Sequence, residues 1–225
     1  MADIIRWDMV NWSQALRYWE RGTTIDLTTC RALELGAGRS GGLSLWLALQ
    51  GAEVVCSTLG EVPSQVRDTH RAYGVDAQIT YESIDMRSIP YEDAFDVIVF
   101  KSVLGTVEGG AEQRRAAIAQ IDRALRPGGE LLFAENLAAT SLHMALRQRF
   151  GEAKFGWHYM TIADMTCLLA RFSSMRYITT GVVGALGRTS WQRNVLGRID
   201  QWLLNALLPE AWRYIMIGIA TAAKS

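Results

Sequence analysis

Neither sign of charge is in excess in this chain of 225 residues, since Lys plus Arg and Asp plus Glu both number 23. A basic surplus is what draws a protein to a phosphate backbone whatever its sequence, so its absence argues against a nucleic-acid substrate. Cysteine is scarce and unpatterned. Cys30, Cys56 and Cys167 are far apart and show neither C-x-x-C nor Cys/His metal spacing, so no metal is expected. They read as small buried hydrophobes in a reducing cytoplasm. Long apolar runs are missing too. Asp3, Arg6 and Asp8 break up the opening residues, which argues against a signal-peptide core. Pro209, Glu210 and Arg213 interrupt WLLNALLPEAWRYIMIGIA short of the roughly 18 apolar residues of a spanning helix. Repeats, low-complexity tracts and linkers are absent, so residues 1–225 are expected to form a single domain.

What is present is an alternation of strand and helix patterns. With 49% hydrophobic and 20% charged residues the chain can bury a sizeable core. Trp12, Ala15, Leu16 and Trp19 mark one helical stripe and predict a helical N-terminal cap over residues 1–29. RALEL at 31–35 then runs into GAGRSGG, LSLWLALQ and AEVVCST, which reads as strand, glycine-rich turn, helix, strand. A helix around 65–73 and a strand at 77–81 follow, and FDVIVFK at 95–101 is apolar on both faces, as in the interior of a parallel sheet. Ile118, Ile121 and Leu125 mark a helix that stops at Arg126-Pro127-Gly128-Gly129 before the strand ELLFAEN. Repeated strand–helix units predict a doubly wound α/β sheet.

Beyond residue 136 the pattern loosens. Thr161 and Asp164 form a variant capping box for a helix whose apolar stripe is Met165, Leu168, Leu169 and Phe172. Strands are expected at 175–183 and 212–220. Between them an insertion at 188–208 carries Val195, Ile199, Trp202 and Leu203 as the stripe of a second helix. That stripe packs on the sheet or a second subunit, or it lines an acceptor site or rests on a membrane surface.

Gly36, Gly38 and Gly41 satisfy G-x-G-x-x-G between a strand and a helix, where a backbone without Cβ can approach a ligand closely. A nicotinamide and an adenosyl cofactor both suit such a turn. The segments LELGAGRSGG, YESIDM, FDVIVFKSVLG and LRPGGELLFAEN, in this order, resemble the class I S-adenosylmethionine-dependent methyltransferases over residues 30–136. The C-terminal strand pair looks like the antiparallel hairpin that closes this family's seven-stranded sheet. Finer similarities, in GLSLWLALQGAEVVCS and the last 35 or so residues, resemble little-characterised bacterial members associated with surface-polysaccharide assembly. They imply a small-molecule, sugar or sugar-lipid acceptor. The segment after FDVIVF, Lys101-Ser102-Val103, has no Asn-Pro-Pro-Tyr type motif for amino groups of DNA or protein amides.

The resemblance implies S-adenosyl-L-methionine as cofactor and assigns roles by position. Glu34, Gly36, Ala37 and Gly38 should surround its methionine part, and Asp85 and Met86 its adenine, although Asp85 could instead cap the following turn. The family ends its second strand with an acidic residue for the ribose, whereas this chain has Thr58, a neutral partner, unless Glu61 reaches across. Lys101 either faces the site or snorkels to water. Methyl transfer to a hydroxyl is in-line displacement at a sulfonium carbon with loss of a proton, so a base is needed near the acceptor. Lys101, Glu108, Glu135, His143 and His158 follow the fourth and fifth strands, where open α/β sheets bind ligands. Among them His143, Glu135 and His158 are the catalytic candidates, each with a plainer alternative: a helix histidine, a binder of backbone amides, and a packing cluster with Trp157 and Tyr159. His70 is expected at the surface. Trp7, Trp12, Tyr18 and Trp19 should cap the pocket, or in part belong to the core.

Overall fold

The computed structural model describes residues 1–150 and 157–224, with 147–150 as backbone only. Seven strands form one sheet: β1 (Arg31–Leu35), β2 (Glu53–Thr58), β3 (Ile79–Ser83), β4 (Phe95–Lys101), β5 (Leu125–Asn136), β6 (Ser174–Thr180) and β7 (Ile215–Thr221). Their order across the sheet is β3-β2-β1-β4-β5-β7-β6. The first five pair in parallel, and β7 runs antiparallel between β5 and β6, as the pattern at the C-terminus implied. The Arg-Pro-Gly-Gly turn is absorbed into β5. Phe95 pairs with Leu125 and Val97 with Glu130, so the extra residues, including a proline that cannot donate to a ladder, bulge out between these pairs.

Alternation along β4 divides the interior in two. Val97 and Val99 join one core with helices α1 (Met9–Trp12), α2 (Gln14–Gly22) and α3 (Gly42–Gln50), while Ile98 and Phe100 join another with α5 (Gly110–Ala124) and α7 (Ile162–Leu168). Helices α4 (Ser64–Ala72) and α6 (Ser141–Phe150) follow β2 and β5. The N-terminal cap is pinned to the sheet through polar contacts as well as apolar burial. The Trp19 indole donates to Gly218 O at 3.1 Å, and Thr23 and Thr24 hydroxyls donate to the buried Glu130 carboxylate at 2.6 and 2.8 Å. Trp12 and Trp19 are wholly core, whereas Trp7 and Tyr18 are half-buried.

The insertion is helical, as α8 (Ser190–Ile199), a wide π-type turn over Asp200–Leu204 and the short α9 (Asn205–Leu207). Its inward side is polar. Asp200 is fully buried and accepts from the backbone of Val183 and Gly184 at 2.9 Å each and from the Asn11 amide at 2.8 Å. Asn11 also donates to Tyr214 and Asp8, and Gln201 donates to Asn11 and Thr180. The stripe Ile199, Trp202 and Leu203 faces outward. Cys167 is exposed, against its expected burial, because it lies on the outer side of α7; Cys30 and Cys56 are buried and burial pushes both thiols up.

Candidate cofactor and acceptor site

The turn leaving β1 is held from below by side chains. Gly36 takes a left-handed φ of 69°, and a Cβ there would stand 2.7 Å from Val103 Cγ2. At Gly38, with φ 59°, a Cβ would meet only Gly36 O, at an ordinary 3.9 Å. The Glu34 carboxylate is buried behind this turn and accepts from the Ser44 N–H at 2.7 Å and hydroxyl at 2.5 Å, so a negative group sits at the N-terminus of α3. Burial raises its pKa, against the opposing hydrogen bonds from Ser44. His70 is buried, not at the surface. Its Nε2 lies 2.9 Å from Gly41 O and its Nδ1 3.0 Å from Tyr81 Oη, which ties the end of the turn to β3. Burial lowers its pKa, so the neutral imidazole is favoured. Nothing in the amphipathic pattern of α4 reveals this role, because it depends on the long-range partner Tyr81.

A cavity of about 260 Å³ opens beside the turn at the C-terminal ends of β1 to β4, lined by Gly36, Leu59, Asp85, Met86, Val103 and Glu108 among others. Asp85 serves the local turn as well. It accepts from the Arg87 N–H at 2.9 Å and pairs with the Arg87 guanidinium at 2.6 Å, which holds its carboxyl below the usual range. From the turn after β2, the residue that lines the cavity is the exposed Leu59. The Thr58 hydroxyl donates to Gly60 O at 2.6 Å, and Glu61 is exposed.

Lys101, at the end of β4, turns towards the cap. Its Nζ lies 4.5 Å from the centre of the Trp12 ring, and its charge partly offsets the burial of Glu34 and Glu135. Glu135 is fully buried and accepts from the N–H groups of Val103 and Leu104 at 2.9 Å each, and from Asn136 at 3.0 Å. Desolvation pushes its carboxyl up to about 7. These bonds organise the turn after β4, where Ser102 adopts a left-handed φ of 56°, and fit the plainer reading of Glu135 as a binder of backbone amides. His143, near the start of α6, is buried and stacked on Tyr214, with ring centroids 5.3 Å apart. His158 lies elsewhere: it is exposed and lines a separate cavity with Arg114, Arg115 and Asp164. The structure therefore brings Lys101 and Glu135 to one turn but does not gather His143 and His158 around one cavity. Among the described residues no group of three or more His, Cys, Asp or Glu side chains could hold a metal ion.

Residues 33–133, the segment that builds the glycine-rich turn and the cavity, match the family described as methyltransferase domain. The match covers just under half of the chain. The match favours a methyltransferase over the nicotinamide alternative that the glycine fingerprint alone left open. The chain is 32% identical over 113 residues to a glycine/sarcosine/dimethylglycine N-methyltransferase of Actinopolyspora halophila, covering 49% of the chain and 19% of the relative. The chain thus spans about a fifth of that relative's length. Among solved structures, phosphoethanolamine N-methyltransferase 2 of Haemonchus contortus in complex with S-adenosyl-L-methionine superposes with a TM-score of 0.63 at 15% identity, over 95% of this chain and 53% of that one. The 4+2 cyclase SpnF gives a TM-score of 0.63 at 18% identity, over 95% and 81%. These likenesses show the shared fold.

Proposed function

We propose that the chain transfers a methyl group from S-adenosylmethionine to a hydroxyl of a small molecule or glycan. The observation that carries the cofactor half is the cavity lined by Gly36, Asp85 and Met86 at the end of the glycine-rich turn, within the segment that matches the domain family. The residues present fit the cofactor. The backbone of Gly36, Ala37 and Gly38 would border its methionine part, Glu34 would hold the start of α3 behind that turn, and Asp85, Met86 and Leu59 would flank the adenosine. When bound, the cofactor supplies an electrophilic methyl group.

The chain's own task is to place the acceptor and take its proton. On this reading Lys101 borders the acceptor side, Glu135 fixes the turn that carries Val103, and His143 is the group that accepts a proton. A second reading has an amine as acceptor, favoured by the N-methyltransferase relative. A free amine brings its own lone pair and depends less on a base.

The first test is thermal unfolding with added nucleotides. S-adenosylmethionine and S-adenosylhomocysteine should raise the Tm while NAD and NADP leave it unchanged, since only a ligand of the folded state stabilises it. Gly38→Val should remove that shift by setting a branched side chain, at a left-handed φ of 59°, where bare backbone would approach the ligand. Shifts with nicotinamides alone would overturn the cofactor assignment. Turnover of hydroxyl and amine acceptor panels to S-adenosylhomocysteine separates the two acceptors, with His143→Gln expected to lower kcat at least about a hundredfold for a hydroxyl.

A further inference from the structure

The helical insertion is inside out. Trp202 is 87% exposed, Trp191 73%, Leu207 68% and Leu203 51%, whereas Asp200, Gln201 and Asn205 occupy the inward side. Trp191, Val195 and Ile199 follow one another at helical spacing, and the wide turn over Asp200–Leu204 adds the length that brings Trp202, Leu203 and Leu207 back onto the same side. Scattered exposed apolar residues need no explanation, but a continuous stripe with two tryptophans does. Among the described residues none packs over it.

Charge identifies the occupant. From Gly187 to Tyr214 the sequence holds Arg188, Arg193, Arg198 and Arg213 against Asp200 and Glu210, in a chain whose charges balance overall. Asp200 is buried, while Arg188 and Arg198 are exposed beside the stripe. A shallow groove of about 430 Å³, lined by Leu186, Arg188, Trp191 and Val195, opens along the same side. Tryptophan and leucine flanked by arginine is the composition that settles at a bilayer interface, with rings at headgroup level and guanidinium groups on lipid phosphates. A symmetric second copy would set this arginine-bearing face against its own image. We propose that the insertion is a docking surface for an anionic lipid bilayer, with Trp191, Trp202, Leu203 and Leu207 entering the interface and Arg188 and Arg198 engaging headgroups. The sheet carries no part of this contact, so the surface stands apart from the methyl-transfer reading.

Flotation of the full chain with phosphatidylcholine vesicles, with and without phosphatidylglycerol, at low and high salt, tests it. The protein should float with the anionic vesicles, and high salt should weaken that binding. Trp202→Ser with Leu207→Ser should weaken it about tenfold or more, and Arg198→Glu should reduce the preference for phosphatidylglycerol. All these positions are exposed, so the Tm and its response to S-adenosylhomocysteine should match wild type, which separates failure here from failure of the cofactor reading. Absence of flotation by folded protein, or flotation indifferent to both variants, would overturn the proposal. So would a concentration-dependent dimer in light scattering that Trp202→Ser abolishes, with no vesicle binding, since the occupant would then be a second copy.

Discussion

Helices α7 and α8 begin alike and end up facing opposite ways. Thr161 with Asp164 opens α7 and Thr189 with Gln192 opens α8, each pair exchanging both bonds of a capping box. Both carry an apolar stripe at helical spacing. On α7 that stripe, with Met165 fully buried, completes the core beneath α5; on α8 and its continuation it points to solvent. A stripe fixes which residues share a face, and the other face decides which way the helix turns. Asp164 and Thr166 on the outer side of α7 satisfy themselves locally, whereas Asp200, Gln201 and Asn205 find partners on Asn11, Thr180 and Gly181 far along the chain. A fully satisfied buried polar network thus outweighs the burial of a few apolar side chains.

Truncating the two stripes should break the comparison most sharply. Met165→Ala is expected to cost about 2–5 kcal/mol in urea unfolding, from lost burial and the cavity left behind. Trp202→Ser should stay within about 0.5 kcal/mol, as surface changes do. Equal losses would mean that the outer stripe is covered within the folded chain itself.

Acidity probes the inward seam. Asp8 accepts from Asn11 and Tyr214 and faces Asp200 and Arg193, and burial pushes its carboxyl from 3.8 up to about 7. Folding therefore favours the protonated form. The associated stability is complete below the ordinary value of 3.8 and is lost as pH rises to about 7. Glu135, raised to about 7, contributes with the same sign. Asp8→Asn should flatten the fall in Tm between pH 5 and 7 without removing it, and an unchanged Tm profile would place the titration elsewhere.

The smallest effect sharpens the likeness. Thr161→Ala and Thr189→Ala should each cost about 1 kcal/mol, because each removes one hydroxyl acceptor from one helix N-terminus. A much larger loss at Thr189 would show that α8 is held chiefly by its cap rather than by its seam.

Local rules made the strands, the glycine-rich turn and the capping box at Thr161 and Asp164 legible in the sequence; the second box, at Thr189 and Gln192, was not read there. The apolar run of β4 announced an interior strand because it is short and rich in valine, isoleucine and phenylalanine, as strands buried on both faces of a parallel sheet are. The position of Gly38 could be read because the turn chemistry is local. His70 was not legible, since its partner Tyr81 lies on a strand whose register only the fold sets. The same holds for Leu59: the end of β2 was legible, but not which residue of the turn enters the cavity. The direction of the outer stripe escaped for the reason α8 teaches. Its inward partners come from the N-terminal cap and from the end of β6, and no short window of sequence contains them all.

The wide turn at Asp200–Leu204 works as a phase adjuster between two helical surfaces. An ordinary α-helix advances about 100° per residue, so one residue fewer would rotate everything beyond it by roughly that angle. Asn205 would swing away from Gly181 and Thr180 as Leu207 left the line of Trp191 and Ile199. The polar lining and the apolar exterior are thus kept in step by a single supernumerary residue. A deletion that spoiled one would spoil the other, whereas point substitutions can alter either alone.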